Sequence, residues 1–148
     1  MDSVELTILR NLLHNDEYSR KVLPFINKEY YENYHEKIIF EEISKFIVKY
    51  NNLPTKETLI IESEKRTDIA EDTFKQICEY VNLLDNVPSD NQWLLDTTEK
   101  WCKDRAIYLA LVESISIADG NSENKTQDAI PSILSDALAV SFDNQVGH

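Results

Sequence analysis

The sequence predicts an all-α protein: a compact helical head over residues 1–86, then a protruding antiparallel helical hairpin over residues 87–148. Three observations carry this. The 148 residues contain only 2 Gly and 4 Pro, so the chain has few natural breakpoints. Apolar residues recur at three- and four-residue spacing, and no segment alternates at period two for long, so essentially no sheet is expected. Finally, no breaker occurs between Pro88 and Gly120. A helix of about 29 residues there would be roughly 43 Å long. The preceding residues would form a ball only about 30 Å across, so the long helix should stick out of it.

The elements follow in order. Ser3 can cap a first helix with Leu6, Leu9, Leu12 and Leu13 on one face, closing near Asn15. A second short helix runs from Asp16 to about Leu23 and stops at Pro24, which lacks the N–H that a helix interior needs. After a connector over residues 26–31, a third helix near residues 33–50 repeats Tyr34, Ile38, Ile39, Ile43, Phe46, Ile47 and Tyr50. Asn51-Asn52-Leu53-Pro54 ends it. Thr55 then caps a helix through Leu59 and Ile60 to about Lys65. Asp68 and Glu71 have the spacing of a capping box ahead of a fifth helix, whose stripe is Phe74, Ile77, Cys78, Val81 and Leu84. Residues 85–88 form the seam between head and hairpin.

Ser89 and Gln92 have capping-box spacing, which puts the long helix at about residues 90–118. Within it, residues 106–112 (Ala-Ile-Tyr-Leu-Ala-Leu-Val) are apolar for two turns. A helix apolar all round wants partners on more than one side. One partner comes from the same chain and another is expected from a second chain. Residues 120–127 are a polar loop. Asp128 is the expected cap of a return helix at about residues 129–142, with Pro131 in its first turn. The expected hairpin and subunit-pairing surface comprises Trp101, Ile107, Tyr108, Leu109, Leu111, Val112 and Ile115, with Ile130, Ile133, Leu134, Leu138 and Phe142 from the return helix.

Charge narrows the function. There are 15 basic against 27 acidic side chains, a net charge of −12. Nucleic acid requires Lys and Arg to neutralise phosphates, so this chain alone is not expected to grip DNA or RNA. Acid is denser toward the end, with 11 basic and 17 acidic residues up to 89 and 4 and 10 after it. Such a surface keeps a protein soluble or meets a basic partner. Cys78 and Cys102 have no ligand spacing and read as reduced thiols. No stretch approaches the ~18 apolar residues of a membrane span, and Met1-Asp2-Ser3 does not open a signal peptide. The expected compartment is the cytoplasm.

Residues for catalysis are lacking. Two glycines cannot build a phosphate loop. His14, His35 and His148 are scattered, and no cluster has metal-ligand spacing. Glu41-Glu42 reads as solvated helix surface rather than an acid–base pair. Asn124-Lys125-Thr126 matches a glycosylation sequon, without meaning in the cytoplasm. Tyr30, Tyr31 and Tyr34 stand among Glu29, Glu32 and Glu36, which would repel phosphates, so they read as the aromatic edge of the head core. Lys100, Lys103 and Arg105 lie beside Trp101. Asp96 and Glu99 precede Lys100 and Lys103 by four residues, the favourable ion-pair order. No catalytic, cofactor-binding or metal residue is expected.

Several stretches resemble a known family. Trp93-Leu94, Thr98-Glu99-Lys100 and Arg105-Ala106 are similar to the hairpin start of T-even-type phage replicative helicases of the DnaB-like family. A closer match is Ala129-Ile130-Pro131, Ile133, Ala137-Leu138, Ser141-Phe142-Asp143 and Val146-Gly147-His148. Tyr18-Ser19, Lys21-Val22, Pro24 and Leu53-Pro54 fit the same family, while residues 56–85 are only loosely similar.

The resemblance implies the N-terminal domain of a ring helicase, and for a phage family the cytoplasm would be that of the host cell. In that family, hairpins of neighbouring subunits pair, and three such pairs form a collar on a hexamer that contacts primase or a helicase loader. The RecA-like motor, with its ATP, Mg and single-stranded DNA sites, is absent from this chain. The motor would unwind the replication fork 5′ to 3′, so the parent protein, not these residues, is the expected enzyme. Two other readings compete. One is the helicase-binding module of a primase, which would stand at a C-terminus. The other is an acidic DNA mimic or inhibitor, which would need carboxylates in rows on one face.

Overall fold

The computed structural model describes residues 3–143. Among them are seven α-helices joined by turns and short 3-10 segments, with no strand, so the protein is all-α. The chain divides into two compact units between Leu95 and Asp96. The division falls inside the longest helix.

In the first unit, helix α1 (Val4–His14) starts where Ser3 Oγ accepts the Leu6 N–H at 3.1 Å. It buries Leu6, Ile8, Leu9, Leu12 and Leu13. Asn15 ends it and caps α2 (Asp16–Val22) by accepting the Tyr18 N–H. Pro24 lies in a 3-10 turn, Leu23–Phe25. Helix α3 (Tyr34–Tyr50) is central, packing on α1, on α4 (Lys56–Glu64) and on α5 (Glu71–Asn82). Ile38, Ile39, Phe40, Ile43 and Ile47 fill the core from α3, with Leu59 from α4 and Ile77 and Val81 from α5. Asn51, at φ +54°, turns the chain out of α3 in the left-handed region, which asparagine tolerates better than most residues. Thr55 caps α4 through the Thr58 N–H.

Four local expectations are corrected here. Tyr34 and Tyr50 do not continue the α3 stripe into the core but are half exposed at its two ends. Asp68 does not open α5. Its carboxylate binds Arg66 Nε and Nη2, and the helix begins at Glu71 after the extended Ala70. Glu42 is not solvated surface: it is 4% exposed, with one oxygen 2.6 Å from Arg66 Nη1 and 3.2 Å from Lys45 Nζ. A buried carboxylate persists only when such partners replace its water. Ser89 does not cap the long helix. Asp90 does, its Oδ2 accepting the Trp93 N–H at 2.9 Å.

Helix α6 (Asn91–Ala118) runs from the first unit into the second. Gly120, at φ +77°, ends it: the Gly120 N–H reaches the Ile117 carbonyl and the Asn121 N–H reaches the Ser116 carbonyl. This is a Schellman motif, which ties up carbonyls that the helix end would otherwise leave unpaired. A 3-10 turn (Gln127–Ala129) leads into α7 (Ile130–Leu138), with Pro131 in its first turn. The return helix is therefore shorter than the expected 129–142. It closes with a 3-10 bond from the Val140 N–H to the Ala137 carbonyl, and beyond it the Phe142 N–H and the Ser141 hydroxyl donate to the Glu99 carboxylate. Val146-Gly147-His148, the end of the resemblance motif, lies outside the described residues.

Candidate functional site: the outer face of the hairpin helix

The hairpin's direction is fixed at both ends. Glu113 Oε2 is 2.6 Å from Lys125 Nζ near the turn. Fourteen residues earlier, Glu99 Oε2 accepts the Phe142 N–H at 2.7 Å and the Ser141 hydroxyl at 3.2 Å. The chain after the turn therefore runs back along α6, antiparallel to it.

The apolar belt of α6 splits into two faces. Ala110, Ser114 and Ile117 are buried. On the opposite side Tyr108 is 53% exposed, Leu111 47%, Val112 48% and Ile115 61%. Spacings of three and four residues put those four side chains in one stripe about 100° wide. Arg105 lies over the Tyr108 ring at 4.8 Å and extends one edge of the stripe.

The twelve residues expected at the hairpin seam and pairing surface fall into three groups. Trp101 and Phe142 are buried within the chain. Ile107, Leu109, Ile130, Ile133 and Leu134 are half-buried. Tyr108, Leu111, Val112, Ile115 and Leu138 are exposed, Leu138 at 60%. Sequence reasoning missed Ala110, Ser114 and Ile117 as the buried side of α6, and Glu99 as the clasp of the returning chain. The small residues Ala110 and Ser114, four apart, were the available signal for the buried side. Nothing local marked Glu99, because its partners are more than forty residues away.

The small basic patch is wired differently from its expected order. Lys100 pairs forward with Asp104 at 2.9 Å, while Glu99 holds the returning chain. Cys102 is buried, and desolvation pushes its thiol up to about 12, which leaves it inert as a nucleophile. In the first unit, His14 Nε2 lies 2.6 Å from the Leu84 carbonyl and His35 lies beside the Tyr80 ring. Tyr80 donates to the buried Glu36 at 2.7 Å. These contacts hold the head together. Among the described residues, no group of three His, Cys, Asp or Glu is placed to hold a metal. No helix among the described residues is long and apolar enough to cross a membrane.

The described residues form an all-helical fold with an exposed apolar stripe on its longest helix. No protein-family model matches the chain. The chain is 30% identical, over 149 aligned residues and 95% of its length, to the DnaB-like replicative helicase of Enterobacteria phage T4. The resemblance to phage DnaB-like helicases is therefore borne out. The chain spans 31% of that relative's length, an extent consistent with a single N-terminal domain.

Proposed function

We propose that this chain is the N-terminal collar domain of a phage replicative ring helicase, and that its hairpin pairs with the hairpin of a second subunit. The observation that carries this reading is the half-exposed stripe of Tyr108, Leu111, Val112 and Ile115 on a helix already packed along its other side. Four large apolar side chains in one row expose a contiguous patch of the kind that marks protein–protein contact sites. The similarity to a replicative helicase supports a role in DNA unwinding, with ATP and Mg handled by a motor domain outside these residues. In this reading pairs of subunits build a hexameric collar, and the collar docks primase or a helicase loader. Single-stranded DNA is handled by the motor, not by this acidic domain.

The reading is tested by sedimentation of the 148-residue chain at micromolar concentration. A reversible dimer is expected. A monomer up to about 100 µM, weaker than any contact a ring could use without other interfaces, overturns the pairing role.

A further inference from the structure

We infer that two copies of this chain pair antiparallel along α6, about a two-fold axis beside Val112, with Arg105 of each copy meeting Asp119 of the other. This rests on the pairing reading above and gives it a direction and a register. The exposed stripe repeats every seven residues. Tyr108 and Ile115 form one row, Leu111 and Ala118 the next, and Arg105, Val112 and Asp119 run along one edge. Arg105 and Asp119 each lie seven residues from Val112, on opposite sides of it. When two helices pack antiparallel, residues on the same edge of each face one another. A two-fold beside Val112 therefore brings Arg105 to Asp119 twice.

The same register sets Tyr108 opposite Ala118 and Leu111 opposite Ile115, so the largest side chain meets the smallest. A parallel arrangement would set Tyr108 against Tyr108 and Ala118 against Ala118, crowding one layer and hollowing the other. It would also bring like charges together. Over the stripe's own span, residues 103–119, Lys103 and Arg105 outnumber Asp104 at the start, while Glu113 and Asp119 carry the end. Antiparallel pairing lays each basic end over an acidic one, and complementary ends of this kind select orientation.

Cysteine cross-linking reads the direction. In a background with Cys78→Ser and Cys102→Ala, Tyr108→Cys and Ala118→Cys chains are oxidised each alone and as an equimolar mixture. Antiparallel pairing holds the two Tyr108 positions about 15 Å apart along the axis, too far for a disulfide. The expected result is a cross-linked dimer only in the mixture. Self-linked dimers of each variant alone overturn the proposal in favour of a parallel pair. A native chain that dimerises while neither variants nor mixture cross-link overturns the register.

A second measurement needs no added cysteine. Arg105→Asp and Asp119→Arg, each alone, should weaken the dimer about tenfold, and the double swap should restore it to within about threefold. Both losses should shrink in high salt. Failure of the double swap to restore pairing overturns the Arg105–Asp119 contact. A native chain that never dimerises sinks the pairing reading itself, which separates the two failures.

Discussion

Replacing Val112 with Asp tests the role of the outer stripe. Full burial of a valine-sized side chain stabilises by about 1.5–3 kcal/mol, and Val112 is 48% exposed in the single chain. Covering the remainder in a pair is worth about 1 kcal/mol. A two-fold axis places the residue in the interface twice, for about 2 kcal/mol. The introduced carboxylate would also face a carboxylate of its own copy or be stripped of water, adding at least about 1 kcal/mol. The loss of about 3 kcal/mol corresponds to a dissociation constant raised by roughly 100-fold.

The folded single chain should barely notice the change. Val112 lies mid-helix on the open side, where substitutions stay within about 0.5 kcal/mol, and Val and Asp have similar helix propensities. Sedimentation velocity over a concentration series measures the pairing, and far-UV circular dichroism with a thermal melt checks the fold. A Val112→Asp chain that keeps its helix content and still pairs like the native chain would refute the argument.

Three further outcomes follow from local geometry. Glu99→Ala removes the acceptor of the Phe142 N–H and the Ser141 hydroxyl. It should free the end of the return segment at a loss of about 2 kcal/mol, seen as faster amide hydrogen exchange at Phe142. Gly120→Ala forces a side chain into the left-handed region at φ +77°, where no neighbouring atom lies within 4 Å of the new Cβ. The cost is backbone strain alone, about 1 kcal/mol, and the melting temperature should fall by about 3 °C. In the head, burial and then the hydrogen bond to Glu36 hold the Tyr80 hydroxyl above its usual value of 10. The neutral phenol is thus favoured in the folded state. Its contribution is fully present below pH 10 and is lost as pH rises beyond it. Tyr80→Phe should reduce that alkaline loss while lowering stability at neutral pH by about 1–3 kcal/mol, because Glu36 loses a buried donor. Denaturant melts at about pH 7 and about pH 10.5 check both signs.

How much could be read without coordinates varied with the range of the interaction. The starts of α1 and α4 were legible, because Ser3 and Thr55 bond amides three residues away. The end of α6 was legible for the same reason, since its Schellman bonds close within five residues of Gly120. The start of α5 was misread because Asp68 had a stronger partner, Arg66, than the helix amides. Glu42 looked like surface because the cation that allows its burial, Arg66, lies 24 residues away. The return helix was drawn too long because residues 139–142 carry no local stop signal, and Glu99, which takes the Phe142 N–H, lies 43 residues back.

The sequence by itself determined that the protein is all-helical and that one long helix, Asn91–Ala118 in the structure, runs unbroken to just before Gly120 with an apolar belt at its middle. These follow from periodicity, capping and the scarcity of Gly and Pro, all of them properties of short segments. Only the tertiary structure decided which side of that belt is covered. The phase of the buried face depends on where α7 returns, and that return is set by Glu99 and Glu113 reaching residues 141–142 and 125. With Ala110, Ser114 and Ile117 buried, Tyr108, Leu111, Val112 and Ile115 are left at the surface; the small size of Ala110 and Ser114 hints at this division, but spacing alone does not choose it, because both sides repeat at three and four residues.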